Sequence, residues 1–261
     1  SKYHILHINS TYYGGGVAEI LRNMTLLLNE IGVDVGWRAM IGSPDFFRVT
    51  KKFHNALQGD DINLTEMKKK VYEETSEEFA SFTHLDHDLV IVHDPQPLPL
   101  LTFYRKQQPW IWRCHIDLSD PNPDVWDYLK SFVLAYDKDI FQMNEFAAKG
   151  ISDDYKIIRP SIDPLTTKNM DLDQNTIDKY LSKAGVDTSK PMIAQISRFD
   201  KWKDPLGVLE VFKKVKEEMD CQLVLLGSMA TDDPEGQEVY DRVRRASDGM
   251  DDVHLIVDAH D

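Results

Sequence analysis

Short apolar runs alternate along this chain with longer stretches in which apolar residues recur at helical spacing. The short runs predict buried strands, and the recurring stretches predict amphipathic helices. Regular alternation of the two is typical of an α/β protein built on parallel sheets. The predicted strands cover residues 4–8, 33–41, 88–92, 110–112, 139–142, 155–159, 192–196, 222–227 and 253–257. The predicted helices cover residues 17–31, 45–57, 66–82, 124–136, 176–184, 206–219 and 234–247.

The predicted strands divide the chain into two unequal parts. Those before the polar segment 159–175 are enough for a complete doubly wound sheet, whereas those after it make a poor independent domain. We therefore expect an N-terminal Rossmann-like domain over residues 1–164 and a partial C-terminal one over 165–261, in a chain that is part of a longer protein. A parallel sheet with an open edge can recruit a second copy, so a homodimer is among the expected partners.

The charge balance narrows the class of partner. The chain has 30 Lys and Arg against 44 Asp and Glu, a formal net charge of −14. Such a surface disfavours nucleic acid as a partner, because phosphate binding over a broad area needs the opposite sign. Neither a secretory signal nor an apolar run long enough for a membrane span is expected, and Cys114 and Cys221 follow no metal-binding or disulfide spacing. We expect a cytoplasmic protein without a metal or a cofactor.

A local cluster of cations follows the apolar run 192–196, which predicts a buried strand. Arg198, Lys201 and Lys203 lie between that strand and Asp204-Pro205, where a helix is predicted to begin. Arginine grips phosphate oxygens through its planar fork, lysine adds a point charge, and a helix start adds N–H groups. This pattern indicates a diphosphate site, and a solvated basic loop is the alternative.

Three further candidate segments follow predicted strands of the first part. Gly14–Gly16 comes after the first strand, and glycine lets the backbone approach a ligand closely. His93, Asp94 and Gln96 follow the strand 88–92, and His115 follows the strand 110–112. Open α/β sheets bind ligands just outside the carboxyl ends of their strands. The alternatives are a flexible glycine turn and a capping or core hydrogen-bond network around the polar side chains.

Taken together, several segments resemble the retaining glycosyltransferases of family 4, which have the GT-B fold. The resemblance is closest to the trehalose synthase branch, with the trehalose phosphorylases nearby. The segments that carry it are Tyr13-Gly-Gly-Gly-Val-Ala-Glu19, Val92-His-Asp-Pro-Gln-Pro97, Trp112-Arg-Cys-His-Ile-Asp-Leu-Ser119, Pro160-Ser-Ile-Asp-Pro164, Ser197-Arg-Phe-Asp-Lys-Trp-Lys203 and the stretch 227–236. The resemblance implies an α/β protein of GT-B type, with two Rossmann-like domains of which the second is truncated here.

The resemblance also implies roles for residues on the donor side of a cleft. Arg198 and Lys203 would hold the donor diphosphate and stabilise its charge as the glycosidic bond breaks. Gly15 and Gly16 would give close backbone contact near the donor phosphates and the transferred sugar. His115 would contact the transferred glucose beside the reacting carbon. The implied catalytic set is therefore His115, Arg198 and Lys203.

On the acceptor side, Asp94 with help from Gln96 would hold sugar hydroxyls. The implied reaction moves glucose from a nucleoside-diphosphate glucose, such as UDP-glucose or ADP-glucose, to glucose, forming trehalose with retention of configuration. A trehalose phosphorylase and a non-catalytic nucleotide-sugar-binding module are the alternatives. The pair of glutamates that the family carries in its second domain does not occur here and is expected beyond Asp261, so this chain alone is expected to be poorly active.

Overall fold

The computed structural model describes residues 3–151, 153–227 and 235–257, and the chain divides into two compact units at residues 161 and 162. The first unit contains a six-stranded parallel sheet in the order β2-β1-β3-β4-β5-β6. Its strands are β1 (His4–Asn9), β2 (Asp34–Ala39), β3 (Leu89–His93), β4 (Trp110–Arg113), β5 (Lys138–Phe141) and β6 (Lys156–Ile157). Its helices are α1 (Gly16–Glu30), α2 (Pro44–Leu57), α3 (Glu66–Phe82) and α4 (Pro123–Val133), with short 3-10 helices at Leu98–Phe103 and Asn144–Phe146.

The strand order reverses direction between β1 and β3. The chain passes from β1 to the edge strand β2 and then returns to place β3 on the other side of β1. In this register His7 lies beside Ile91, and His93 lies beside Arg113. Paired positions and positions two apart share one face of a sheet. His7, His93 and Arg113 therefore point to the same side, next to the point where an open α/β sheet binds ligands.

The core of the first unit is rich in aromatic residues. Trp110 and Trp112 of β4 are fully buried. Phe53 of α2 and Tyr72 of α3 meet edge to face, with ring centroids 5.1 Å apart. Burial of these large rings supplies much of the apolar area that stabilises the unit. The core thereby fixes the strand ends that carry the candidate site.

The second unit contains a three-stranded parallel sheet in the order β7-β8-β9. Its strands are β7 (Met192–Ile196), β8 (Gln222–Gly227) and β9 (Val253–Val257), and its helices are α5 (Gln174–Lys183), α6 (Pro205–Glu218) and α7 (Gly236–Ala246). Two short 3-10 helices lie at Thr167–Asn169 and Lys201–Lys203. Leu223 and Leu225 of β8 pack with Leu209 and Phe212 of α6 and Val243 of α7 in the core of this unit.

The prediction that residues 192–196 form a buried strand is wrong in one respect. The strand exists, but in the described sheet it lies at the edge and pairs only with β8. Met192 is 40% exposed and Ile196 is 69% exposed, whereas Ile193 packs against the core. An apolar run predicts a strand without specifying how many neighbours cover it.

The other predicted elements are confirmed with small shifts of their ends. The helix predicted to reach residue 136 ends at Val133, and the strand predicted over 155–159 is only Lys156–Ile157. The helix α5 begins at Gln174, two residues earlier than predicted, and Asp173 is its N-cap. Pro234, the predicted start of the last helix, lies outside the described residues, as do residues 228–234 of the stretch 227–236. Among the described residues, no helix is long and apolar enough to cross a membrane.

Candidate functional site

Asp94 stands at the end of β3 in the left-handed region, with φ of 61°. Its N–H donates to the carbonyl of Arg113 at 2.9 Å, and its carbonyl accepts from the indole N–H of Trp112 at 3.0 Å. Its carboxylate Oδ1 accepts from the backbone N–H of His115 at 2.7 Å. A non-glycine residue adopts positive φ only where its surroundings fix it. The structure therefore brings Asp94 and His115 together and holds them at the carboxyl ends of β3 and β4.

Gln96 lies in the same loop and has an unused acceptor. The side chain is 8% exposed, and its Oε1 has no hydrogen-bond partner among the described residues. The loop itself is fixed, because the hydroxyl of Tyr72 donates to the carbonyl of Pro95. A buried polar atom without a partner costs free energy that a ligand hydroxyl would recover. Oε1 of Gln96 thus needs a donor, and the role of Gln96 in holding an acceptor sugar stays a prediction.

Three histidines cross the sheet in a line, which we call the histidine row: His7, His93 and His115. Nδ1 of His7 lies 2.9 Å from Nε2 of His93, and Nδ1 of His93 lies 3.0 Å from Nε2 of His115. His93 is fully buried, and the side-chain amide of Gln142 donates to the carbonyl of His115. His93 is therefore a member of a buried hydrogen-bond network, one of the two interpretations that its sequence position allowed.

Burial keeps the histidine row neutral. Burial and, to a smaller extent, the nearby guanidinium of Arg113 together lower the pKa of His7 to about 4 and that of His115 to about 3. Burial also lowers the pKa of His93 well below its ordinary value. Burial lowers the pKa of Arg113 too, and the carboxylate of Asp94 opposes that shift. At neutral pH the site thus presents uncharged imidazoles beside one buried cation, an arrangement suited to hydrogen bonds with sugar hydroxyls.

The loop before α1 is held by polar side chains and ends in glycines. The side-chain amide of Asn9 donates to the carbonyl of Thr11 at 2.7 Å and also accepts from the indole of Trp37 at 2.8 Å. Gly14 has φ of 80°, which favours glycine. Gly15 has extended backbone, and a Cβ added at Gly15 or Gly16 would meet nothing within 4 Å. The fold does not require glycine at these two positions.

The start of α1 lacks a side-chain cap. The N-cap residue of α1 is Gly15, and no side chain caps the first N–H groups. Free N–H groups at the start of a helix of this length attract anions, because they add to the positive end of the helix dipole. The open space over Gly15 and Gly16 lies at the same helix start. Both observations suit the predicted contact with donor phosphates.

The cation loop, residues 197–203, lies in the second unit after β7. The side chain of Arg198 is 30% exposed, and its guanidinium lies 4.0 Å from the carboxylate of Asp200, which is itself buried. Asp200 also accepts from the backbone N–H of Trp202 at 2.8 Å. The ammonium of Lys201 lies 5.0 Å from the centre of the Trp202 ring. The side-chain amide of Gln195 donates to the carbonyl of Lys203 at 2.6 Å. The loop thus carries its predicted cations on a backbone fixed by hydrogen bonds.

The predicted start of α6 at Asp204-Pro205 is confirmed. Asp204 has φ of 47°, and its side chain accepts from the N–H of Gly207 at 3.0 Å. The N–H of Gly207 is therefore occupied by the capping side chain and is not available to a diphosphate. On the neighbouring strand β8, a Cβ on Gly227 would lie 2.4 Å from the carbonyl oxygen of Ser197. Glycine at position 227 is needed for the close approach of the cation loop.

Sequence reasoning assigned no role to three residues that lie beside candidate residues within their own units. His7 and Arg113 are polar residues on buried strands, and Asp200 is a buried carboxylate beside Arg198. A polar residue within an apolar strand was the available signal for the first two, since such side chains are rarely buried without partners. Their partners are distant in the sequence and became evident only in the structure.

A known protein family matches the first of the two units. Residues 7–148 match the family described as "Trehalose synthase, N-terminal domain", which is more than half of the 261-residue chain. The chain belongs to the trehalose synthase family. The matched residues include the glycine loop, Asp94, Gln96 and the whole histidine row.

Other relatives extend the trehalose synthase match over nearly the whole chain. Trehalose synthase of Thermococcus litoralis is 48% identical over 244 residues, 92% of this chain and 59% of the relative's own length. Trehalose phosphorylase of Pleurotus pulmonarius is 27% identical over 288 residues, 93% of this chain and 39% of that protein. The chain therefore spans about three fifths of the trehalose synthase length.

The solved structure of another protein has the same fold as this chain. The α,α-trehalose-phosphate synthase (UDP-forming) of Burkholderia xenovorans, in complex with glucose-6-phosphate, aligns with a TM-score of 0.68 at 12% identity. The alignment covers 99% of this chain and 75% of that one. The prediction of an α/β protein of GT-B type is thereby confirmed.

Proposed function

We propose that the whole protein is a retaining glycosyltransferase that moves glucose from a nucleoside-diphosphate glucose to glucose, forming trehalose. Membership of the trehalose synthase family supports the product. The single structural observation that supports the proposal most is the joint fixing of Asp94 and His115 through the 2.7 Å hydrogen bond at the strand ends. A carboxylate and a neutral imidazole side by side suit the hydroxyl groups of two sugars.

On the donor side, the proposed contacts are cationic groups and free N–H groups. Arg198 and Lys203 would bind the diphosphate and stabilise the charge that develops on it as the glycosidic bond breaks. The uncapped start of α1, with Gly15 and Gly16, would meet phosphate oxygens through backbone N–H groups. Either a uracil or an adenine nucleotide fits this proposal, since none of these groups contacts a base.

On the acceptor side, Asp94 and Gln96 would hold hydroxyls of the incoming glucose. We propose that the leaving diphosphate takes the proton from the attacking hydroxyl, a mechanism that needs no pair of carboxylates placed for double displacement. Bond formation and bond breaking then occur on the same face of the transferred sugar, and configuration is retained. His115 would orient the transferred glucose during this step.

A trehalose phosphorylase is the second candidate, favoured by the similarity to the enzyme of Pleurotus pulmonarius. In that reaction inorganic phosphate would take the place of the nucleoside diphosphate. The same cations, Arg198 and Lys203, would serve either anion.

Product analysis of the whole protein separates the two candidates. The protein is incubated either with glucose and UDP-glucose or ADP-glucose, or with trehalose alone. Each incubation is run with and without inorganic phosphate, and trehalose, nucleoside diphosphate and glucose 1-phosphate are measured by chromatography. Trehalose formed without phosphate, together with one equivalent of nucleoside diphosphate, supports the synthase. Glucose 1-phosphate formed from trehalose only when phosphate is present supports the phosphorylase.

A matched variant tests the proposed donor site. Arg198→Ala should weaken donor binding by about tenfold or more, because a charge-assisted hydrogen bond is lost. Lys214→Ala, a change of a lysine on the outside of α6, is the control. Equal donor affinity of Arg198→Ala and the wild type would exclude Arg198 from the donor site.

A further inference from the structure

The contacts within the histidine row restrict where its protons lie. A neutral imidazole carries one N–H donor and one bare nitrogen acceptor. His93 contacts His7 through Nε2 and His115 through Nδ1. A neutral His93 must therefore donate one of these two hydrogen bonds and accept the other.

The position of the proton on His93 determines which nitrogen carries the proton in His7 and in His115. If its Nδ1 carries the proton, His93 donates to Nε2 of His115 and accepts from Nδ1 of His7. If its Nε2 carries the proton, both hydrogen bonds reverse. In either arrangement the three rings carry their protons on the same type of nitrogen.

We propose that the histidine row shares one common tautomer and that His93 and His7 are positioning residues for His115. The inference rests on the proposed function, in which His115 contacts the transferred glucose. The tautomer decides whether Nδ1 of His115, the nitrogen not used within the row, donates to a sugar hydroxyl or accepts from it. His93 thus sets both the orientation and the hydrogen-bonding character of the His115 ring.

The surroundings favour this role over metal binding or a charged state. The ring nitrogens of the row face one another in pairs at hydrogen-bond distance and do not converge on a point. Among the described residues, no three histidine, cysteine or acidic side chains are arranged to hold a metal ion. The nearby charged groups are Arg113, which opposes protonation of all three rings, and Asp94, which lies beside Arg113.

The first test needs no substitution. The chain is labelled with ¹⁵N-histidine, and long-range ¹H–¹⁵N correlation spectra at neutral pH identify the protonated nitrogen of each ring. His7, His93 and His115 should show the same tautomer. Opposite tautomers within the row, or exchange of His115 between both tautomers, would overturn the proposal.

The second test uses two variants that each keep one contact. An asparagine amide reaches about the position of histidine Nδ1, and a glutamine amide reaches about that of Nε2. His93→Asn therefore keeps the contact with His115, and His93→Gln keeps the contact with His7 instead. His84→Gln, a change of an exposed histidine, is the control.

The expected result is a difference in turnover between the two variants. In the whole protein, His93→Gln should lower kcat by about tenfold or more because the His115 ring loses its support, with the donor KM within about twofold. His93→Asn should stay within about threefold of the wild type. Equal kcat values for the two variants would overturn the positioning role.

The two tests separate this inference from the proposed function. If the whole protein transfers no glucose, the proposed function fails, and the spectra still decide whether the tautomer is shared. If glucose is transferred while the three rings differ in tautomer, the proposed function stands and the inference fails.

Discussion

Replacing Gly15 or Gly16 with alanine separates what the fold needs from what a ligand needs. A Cβ at either position would meet no protein atom within 4 Å, and the backbone of Gly15 is extended, with φ of −179°. Alanine should therefore be tolerated and should even raise the free energy of unfolding by about 0.4–1 kcal/mol, because the unfolded chain loses freedom. A stabilised or unchanged fold is the first expected result, measured by thermal unfolding.

The same substitutions should weaken donor binding in the whole protein. Each methyl group would occupy space over the uncapped start of α1, where the proposed phosphate contacts need the backbone N–H groups. Loss of one charge-assisted hydrogen bond costs about 1.5–3 kcal/mol, which weakens affinity by about 10- to 150-fold. Titration calorimetry with UDP-glucose and ADP-glucose measures this loss.

Gly14→Ala is the control for this prediction. Gly14 has φ of 80°, so alanine there should lower stability and donor affinity together. Wild-type donor affinity in both Gly15→Ala and Gly16→Ala would refute the reasoning, because the open space would then have no connection with the donor.

Three further substitutions test other parts of the structure. Asparagine tolerates positive φ, and its side-chain oxygen can still accept from the N–H of His115, so Asp94→Asn keeps the local structure and removes only the negative charge. This variant should raise the acceptor KM and leave donor affinity unchanged. An equal loss of donor affinity would argue against an acceptor role. Gly227→Ala places a Cβ 2.4 Å from the carbonyl of Ser197 and should lower the free energy of unfolding by about 1–3 kcal/mol in denaturant titration; wild-type stability would contradict the required approach. Burial raises the pKa of Asp139 to about 6, so the folded state loses stability as pH rises from about 4 to 6. Asp139→Asn should therefore stabilise the protein by about 3 kcal/mol well above pH 6 and not below pH 4, and a gain independent of pH would show another cause.

The hydrophobic pattern was sufficient to predict the elements because each strand and helix has its own periodicity in the sequence. It did not predict how far β7 is covered, because Met192 and Ile196 look the same in an edge strand as in a central one. It also placed Asp94 at a strand end without indicating its left-handed backbone, which depends on hydrogen bonds to Arg113 and Trp112.

The sequence predicted several residues of the candidate site, but it did not predict which of them contact one another. His93 and His115 were identified by their positions after strands, and the sequence left open whether His93 belongs to a core network. The contact between His7 and His93 joins residues 86 positions apart, so no local pattern contains it. The physical reason is that the sheet order, and not the sequence order, brings these strands together.

That separation also sets the order of events during folding. β1 can pair with its helix and with β2 early, because those elements follow it directly, whereas pairing with β3 must close a loop that contains α1, β2, α2 and α3. Closure of a long loop is slow, since its entropy cost precedes the contacts that offset it. The hydrogen bond between His7 and His93 spans this closure and is therefore among the late contacts of the first unit. The buried histidines are therefore natural reporters of the step in which β3 joins β1, the pairing on which the histidine row depends.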